Sequence, residues 1–204
     1  MELKNLRLCE AGIQYSCYKD YIIYRLEGAG DPSVPFLDLS LTFWVYQEGE
    51  DGRVLEFPIG SQCMEEWGIS TETLAEWAKV NTPRLLPAQV VGMSELMGGA
   101  RIRKDGKERE MVYFLTNRTG RFGSAVITYE GILKELADHL EADLFLLPLS
   151  VHQVLAVPDE KGVDPKALLG IPLADQGLTE AERLPLRVYH YSRKREKLEL
   201  AAQA

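Results

Sequence analysis

Alternating apolar and polar positions predict strands in the first half of the chain. Residues 36–46 combine β-branched and aromatic side chains in a partly alternating order, and residues 53–59 form a second such run. Between them, residues 49–52 contain two glycines and two acids, a composition typical of a turn. The pattern therefore predicts a β-hairpin centred on residues 49–52, with Pro58 at an edge or where pairing stops.

A capped helix is predicted to follow this hairpin. Ser70 is a suitable N-cap, and Ile69 and Leu74 occupy the two positions of a hydrophobic staple. Because the residue before a proline disfavours helical geometry, Pro83 predicts that this helix ends near Asn81.

The second half of the chain alternates between strand-like and helical patterns. Residues 111–116 and 124–129 predict a β-hairpin joined by residues 117–123. Apolar residues then recur at helical spacing and predict an amphipathic helix over residues 132–140. Further strands are predicted at 144–149, 151–157 and 186–191, helical turns after Asp164 and Thr179, and a charged, frayed tail at 193–203.

The predicted order of elements in the C-terminal half is β-β-α-β-β-α-β. Hairpins in place of strict alternation of strands and helices indicate an α+β fold built on a mainly antiparallel sheet. One compact unit is expected, with an N-terminal α+β part at residues 1–97, a basic, glycine-rich loop at 98–110, the C-terminal part at 111–193 and the charged tail at 194–204.

Composition places the chain among ordinary soluble globular proteins. It has 204 residues, of which 46% are hydrophobic and 26% charged, so it can form a sizeable core without metals or disulfides. Lys and Arg number 23 against 31 Asp and Glu, which gives a formal net charge of -8. This acidity disfavours nucleic-acid backbone binding as the main activity.

Cysteine usage and the N-terminus predict a cytoplasmic protein. Cys9, Cys17 and Cys63 form no CxxC pair, which indicates buried free thiols in a reducing compartment. The first residues mix charges with leucines and do not resemble a secretory signal. No run approaches the ~18 apolar residues that a membrane span needs.

Few residues suggest chemistry. No phosphate-binding glycine loop and no metal-ligand spacing occurs, so no catalytic residue, metal or cofactor is predicted. His139 and His190 suit surface or packing roles. His152 is placed with Ser150 at the junction of two predicted strands, where loop ends can build a site. Spacing of two on an extended chain would set these side chains in parallel, which disfavours a Ser/His catalytic pair.

One concentration of positive charge stands against the acidic background. Asn117, Arg118 and Arg121 belong to it, together with basic residues between 101 and 107. The cluster suits an acidic partner surface or a phosphate, and the alternative is two solvated loops. The candidate binding residues are therefore Asn117, Arg118, Arg121 and His152.

Several stretches, taken together and in order, resemble a known bacterial family. They are residues 36–39 (Phe-Leu-Asp-Leu), 67–70, 81–87 (Asn-Thr-Pro-Arg-Leu-Leu-Pro), 113–117, 131–133, 147–154 (Leu-Pro-Leu-Ser-Val-His-Gln-Val) and 188–192. The chain resembles the family called domain of unknown function 5688 over about residues 18–193. The resemblance implies a cytoplasmic bacterial protein, in some cases borne on a mobile element, that lacks a longer N-terminal segment present in many members. It supplies no activity or catalytic residue.

Two polar positions in these stretches have a structural interpretation. Thr82 and Pro83 are expected to end a helix and present Arg84, which suits pairing with a helix C-terminus or a carboxylate better than binding a ligand. Asn117, at a strand end, is suited to stabilising its own turn.

Three functional hypotheses follow. The leading one is a non-enzymatic protein-interaction module of a bacterium, phage or mobile element, acting on a protein partner as an acidic inhibitor or adaptor of a host or defence factor. The second is a small-ligand sensor or hydrolytic enzyme with a site near Asn117, Ser150 and His152. The third, a nucleic-acid binder using the basic loops, is disfavoured by the net charge. No membrane partner is expected, and a homo-oligomer remains open.

Overall fold

The computed structural model describes residues 17–97, 102–104, 107–160, 163–171 and 177–204. The chain has an α+β fold with two antiparallel sheets and several helices, which confirms the predicted fold class. It divides into two compact units: the first contains the chain up to Arg25 and residues 29–85, and the second contains residues 26–28 and 86–204.

The first unit is built around one long strand. β3 (Leu39–Glu48) pairs with β2 (Ser33–Phe36) through its first half and with β4 (Val54–Pro58) through its second half. β1 (Ile22–Glu27), of which residues 22–25 belong to this unit, pairs with β3 on the edge opposite β2. The turn between β3 and β4 contains Gly49 and Gly52, which confirms the predicted hairpin.

Helices complete the first unit. They are the 3-10 helix Lys19–Tyr21, α1 (Ser61–Trp67) and α2 (Thr71–Leu85). Ser70 Oγ accepts a hydrogen bond from the Thr73 N–H at 3.3 Å, which confirms the predicted N-cap of α2. The prediction that α2 ends near Asn81 is wrong, because the helix contains Pro83 and continues to Leu85.

Tertiary contacts explain why α2 passes through its proline. The Asn81 side-chain amide donates to the carbonyls of Lys19 (2.8 Å) and Ile22 (3.0 Å), while Thr82 Oγ1 accepts from the Tyr24 N–H at 3.0 Å. These buried bonds hold the last turn of the helix in place, and they outweigh the local steric preference of the residue before proline.

The second unit contains a six-stranded antiparallel sheet in the order β12-β11-β9-β10-β8-β5. Its strands are β5 (Ala88–Gly92), β8 (Tyr113–Asn117), β9 (Leu144–Ser150), β10 (Gln153–Pro158), β11 (Arg187–Ser192) and β12 (Lys197–Gln203). Its other elements are α3 (Met93–Met97), the hairpin β6 (Ile102–Lys104) with β7 (Lys107–Arg109), the 3-10 helix Gly123–Thr128, α4 (Ile132–Leu140), α5 (Pro165–Leu168) and the 3-10 helix Glu180–Glu182.

Most of the C-terminal predictions are confirmed. α4 covers the predicted residues 132–140 and buries Leu133, Leu136 and Leu140. Strands β9 and β10 form the predicted pair, and Asp164 caps α5 by accepting from the Lys166 N–H at 2.9 Å. Local sequence patterns were sufficient to predict these elements, because the residues that form each pattern lie within the element itself.

The predicted strand at residues 124–129 is wrong, since a buried 3-10 helix occupies Gly123–Thr128. Both edges of β8 are already paired, with β10 on one side and β5 on the other. A hairpin partner therefore has no free edge to join. Instead, Ser124 donates to the Val151 carbonyl through its N–H (3.2 Å) and its hydroxyl (2.8 Å).

The prediction of a frayed tail is also wrong. β12 pairs with β11 along its whole length, and Ala202 is buried in an apolar cluster with Phe145, Leu147, Leu155 and Val188. Of the charged residues that suggested a solvated tail, those at 193–195 lie in the turn between β11 and β12. Lys197 and Glu199 lie on the edge strand itself, where Lys197 Nζ pairs with Glu199 at 2.7 Å.

The cysteines depart from expectation. Cys63 on α1 is disulfide-bonded, and Cys17 is a free but exposed thiol, so the prediction of buried free thiols is wrong for both. Cys9 lies outside the described residues. The argument from free thiols to a reducing compartment is thereby removed, and localisation stays a prediction. No helix within the described ranges is long and apolar enough to cross a membrane.

Candidate functional site

Two neighbouring strands bring the predicted site residues to one end of the six-stranded sheet. Asn117 is the last residue of β8, and Arg118 and Arg121 follow it in a loop. His152 lies in the tight turn between β9 and β10. Because β8 and β10 are antiparallel partners, the end of β8 lies beside the start of β10.

Asn117 is fully engaged in closing its own loop. Its side-chain amide donates to the Arg121 carbonyl at 2.5 Å, and its Oδ1 accepts from the N–H (3.0 Å) and hydroxyl (2.8 Å) of Thr119. The side chain is 1% exposed. Asn117 therefore positions the loop, as the structural interpretation of the sequence suggested.

The candidate arginines are exposed on this loop. The Arg118 N–H donates to the Pro87 carbonyl at 3.0 Å, and the Arg121 guanidinium lies 5.8 Å from the centre of the Phe122 ring. Of the second basic stretch, Arg103, Lys104 and Lys107 lie on the β6–β7 hairpin, and Arg101 lies outside the described residues.

His152 is held by hydrogen bonds at both ring nitrogens. Nδ1 accepts from the Phe122 N–H at 3.1 Å, and Nε2 lies 3.1 Å from Glu182 Oε1. A ring nitrogen that accepts carries no proton, so the neutral ring is protonated at Nε2 and donates to Glu182. The ring also stacks on Phe122, with centroids 6.1 Å apart and planes at 21°.

Close backbone packing fixes the position of the His152 turn. A Cβ atom on Gly123 would lie 2.2 Å from Thr116 Oγ1 and 2.3 Å from the His152 carbonyl oxygen. Only glycine leaves room for this approach. Thr116 Oγ1 in turn donates to the His152 carbonyl at 2.9 Å. The loop after β8 and the turn before β10 are thus locked together.

Ser150 does not form a nucleophile with His152. The Ser150 side chain is fully buried, and its Oγ accepts from the backbone N–H of His152 at 3.1 Å. The imidazole is directed instead to Phe122 and Glu182. This arrangement supports the sequence argument against a Ser/His catalytic pair.

Glu182 is the partner that the sequence did not reveal. Its Oε2 accepts from the N–H (2.8 Å) and hydroxyl (2.6 Å) of Thr179, and its Oε1 faces His152. Hydrogen bonds from the Thr179 hydroxyl and N–H, followed by the one from His152, lower the pKa of Glu182 to about 2. The capping-box spacing indicated the Thr179 contact, whereas nothing local indicates a histidine 30 residues earlier.

A cavity of about 550 Å³ lies against this pair, and we call it the site cavity. Gln89 and Val91 of β5 pair in register with Thr116 and Phe114 of β8, so these four side chains share one face of the sheet and form one wall. The lining residues are Gln89, Val91, Phe114, Thr116, Gly120, His152, Gln153, Gly177, Leu178 and Glu182. Volumes between about 300 and 1,000 Å³ are usual for small-molecule sites.

The remaining histidines lie away from this cavity. His139 is exposed on α4, as predicted. His190 Nε2 lies 3.2 Å from Asp159 Oδ2 and 3.6 Å from Asp143 Oδ2, contacts with carboxylates that its strand pattern did not indicate. Within the part of the chain that the structure describes, no three His, Cys, Asp or Glu side chains are grouped as metal ligands would be.

Comparison with known proteins identifies the family of this chain. No curated protein and no solved structure matches the chain. The model of one family, described as a family of unknown function, matches residues 28–193, which is most of the chain and includes both His152 and Glu182. By this match the protein belongs to the DUF5688 family.

Proposed function

We propose that this protein is a non-enzymatic binding protein that holds a small ligand in the site cavity. The observation that carries the proposal is the combination of a ligand-sized cavity with two half-buried polar side chains at its wall: His152 is 23% exposed and Glu182 is 31% exposed. Pockets of this kind pair apolar walls with a few oriented polar groups.

The hydrogen bonds of the site favour binding over hydrolysis. A general base needs a nitrogen free to take a proton from a nucleophile or water. His152 uses Nδ1 to accept from Phe122 and Nε2 to donate to Glu182. The nearby hydroxyl of Ser150 is buried and already accepts a hydrogen bond. The polar groups are therefore arranged to orient a ligand.

The proposal can be tested by filling the cavity. Gln89→Trp places a large ring into the cavity, whereas Val90→Trp places the same ring on the opposite face of the same edge strand, because side chains alternate along β5. Val90 is 40% exposed, so the control ring meets solvent.

The measurement is an amide correlation spectrum of the full chain titrated with a general fragment library. We expect fragments that shift the amides of Thr116, Gln153 and Leu178 to lose binding in Gln89→Trp and to retain it in Val90→Trp. Fragments that bind elsewhere, or binding that survives Gln89→Trp, would overturn the proposal. Hydrolysis of p-nitrophenyl acetate that disappears in a folded His152→Ala variant would overturn its non-enzymatic part.

A protein partner bound through acidic surface is a second candidate function. The formal net charge of -8 supports it, since opposite charge steers association and makes it salt-dependent. A partner captured from a bacterial lysate at low salt should be released at high salt. Retention that does not change with salt would contradict this mechanism.

A further inference from the structure

Among the described residues, the wall of the site cavity contains one carboxylate, that of Glu182. Glu182 is the acidic member among the ten lining residues, and it stays ionised well below neutral pH because Thr179 and His152 donate to its carboxylate. His152 is neutral in the hydrogen-bond pattern described above, since its Nδ1 accepts from Phe122. The lining residues therefore carry one negative charge.

The Glu182 carboxylate retains capacity to accept. A carboxylate offers about four lone-pair positions. Three donors use them in this structure: His152 Nε2, the Thr179 N–H and the Thr179 hydroxyl. One position is thus left for a donor that enters the cavity, and the side chain is accessible to it at 31% exposure.

The apolar lining residues of the site cavity suit a cation that carries an apolar body. These residues are Val91, Phe114 and Leu178. An aromatic ring attracts an ammonium or guanidinium group within about 6 Å of its centre. The apolar side chains next to Phe114 can cover the rest of such a molecule.

No arginine or lysine is among the described residues that line the site cavity. Arg183 is exposed, and its Nη2 lies 3.5 Å from the Leu178 carbonyl, which is a weak contact. Arg118 and Arg121 are exposed and are not among the lining residues. Solvent and salt screen charges at such positions much more than a charge on the cavity wall.

We propose that the site cavity binds an organic cation, with a primary ammonium or guanidinium group at Glu182 and an apolar body against Phe114. This inference rests on the proposed binding function and names its ligand class. The probes are three molecules of nearly the same shape: benzylammonium, benzyl alcohol and benzoate.

The decisive variant is Glu182→Gln. A capping box accepts glutamine in place of glutamate, so the variant keeps an acceptor for Thr179 and removes the charge. Glu180→Gln is the matched control, because it removes one charge from an exposed position of the same 3-10 helix.

We expect benzylammonium to shift the amides of Thr116, Gln153 and Leu178 and to bind about tenfold more weakly to Glu182→Gln, with less than a twofold change in Glu180→Gln. If benzyl alcohol shifts these amides equally, or if both variants weaken benzylammonium binding equally, the proposed ligand class is wrong. The proposal that the cavity binds a ligand would still stand. If none of the three probes shifts these amides, the cation inference fails, and the fragment titration with Gln89→Trp decides the binding function separately.

Discussion

Two clusters of polar side chains differ in their burial and in the partners of their hydrogen bonds. The Asn81 cluster, formed by Asn81, Thr82 and Arg84, belongs to the first unit. It directs its hydrogen bonds to backbone groups of the 3-10 helix Lys19–Tyr21 and of β1, including a bond from Arg84 Nη2 to the Asp20 carbonyl at 2.5 Å. Asn81 and Thr82 are buried and make their hydrogen bonds within the fold, whereas Arg84 is exposed.

The His152 cluster, formed by Asn117, Ser150, His152 and Glu182, belongs to the second unit. Its members have two different roles. Asn117 and Ser150 are buried and hold backbone, as Asn81 does. His152 and Glu182 are partly exposed at the site cavity. A polar residue in a distinctive motif is therefore a binding candidate only if the fold leaves part of it facing open space.

The largest effect expected is on the second unit, from Gly123→Ala. The added Cβ meets the His152 carbonyl oxygen at 2.3 Å, and backbone cannot move away as a side chain would. We expect the free energy of unfolding to fall by about 3 kcal/mol. Far-UV circular dichroism in urea measures it.

Gly120→Ala provides the control for that variant. Gly120 has φ +70° and no atom within 4 Å of an added Cβ, so only backbone strain of about 1 kcal/mol is expected. Equal destabilisation by the two variants would show that the close contact at Gly123 does not limit the fold.

The next effect is on the first unit, from Asn81→Ala. Removing the amide leaves the Lys19 and Ile22 carbonyls without that donor, which should cost about 2 kcal/mol. The three tryptophans Trp44, Trp67 and Trp77 all belong to this unit, so their fluorescence in urea reports on it. Lys79→Ala, an exposed change on the same helix, should cost less than about 0.5 kcal/mol. Similar costs for both would contradict the anchoring role of Asn81.

A smaller effect concerns acid stability in the second unit. The Glu182 carboxyl has a pKa of about 2 in the folded chain against 4.5 for the free group. Its ionised form therefore stabilises the fold fully above about pH 4.5, and this contribution is lost as the pH falls through about 2. We expect the stability difference between the wild type and Glu182→Gln, measured by circular dichroism in urea, to shrink over that interval. A difference that is constant from pH 7 to pH 2 would show that the charge of Glu182 does not stabilise the fold.

The smallest effect is expected at the exposed arginines of the His152 region. Arg118→Ala and Arg121→Ala should change the unfolding free energy by less than about 0.5 kcal/mol. Since neither residue lines the site cavity, benzylammonium affinity should change less than about twofold. A large loss of affinity in either variant would extend the binding site to the loop after β8, as the charge pattern of the sequence first suggested.

The same contrast explains which parts of the site could be predicted. His152 was identified because it lies at a junction of two strands that the local pattern defines well. Glu182 was recognised only as part of a capping box, since its contact with His152 depends on how the segment after α5 returns to the sheet. Asn117 was placed correctly in its turn, and its burial was the information that separated a loop-closing role from a binding role.

By itself, the sequence determined the elements whose signals are local: the hairpin at Gly49 and Gly52, the cap at Ser70, the helix at Ile132–Leu140 and the pair of strands around His152. Tertiary structure decided the rest. It carried α2 through Pro83, turned Gly123–Thr128 into a 3-10 helix, added β12 to the sheet and joined His152 to Glu182. These outcomes depend on hydrogen-bond partners and free strand edges outside the segment concerned, and a local pattern carries no information about which of them are available.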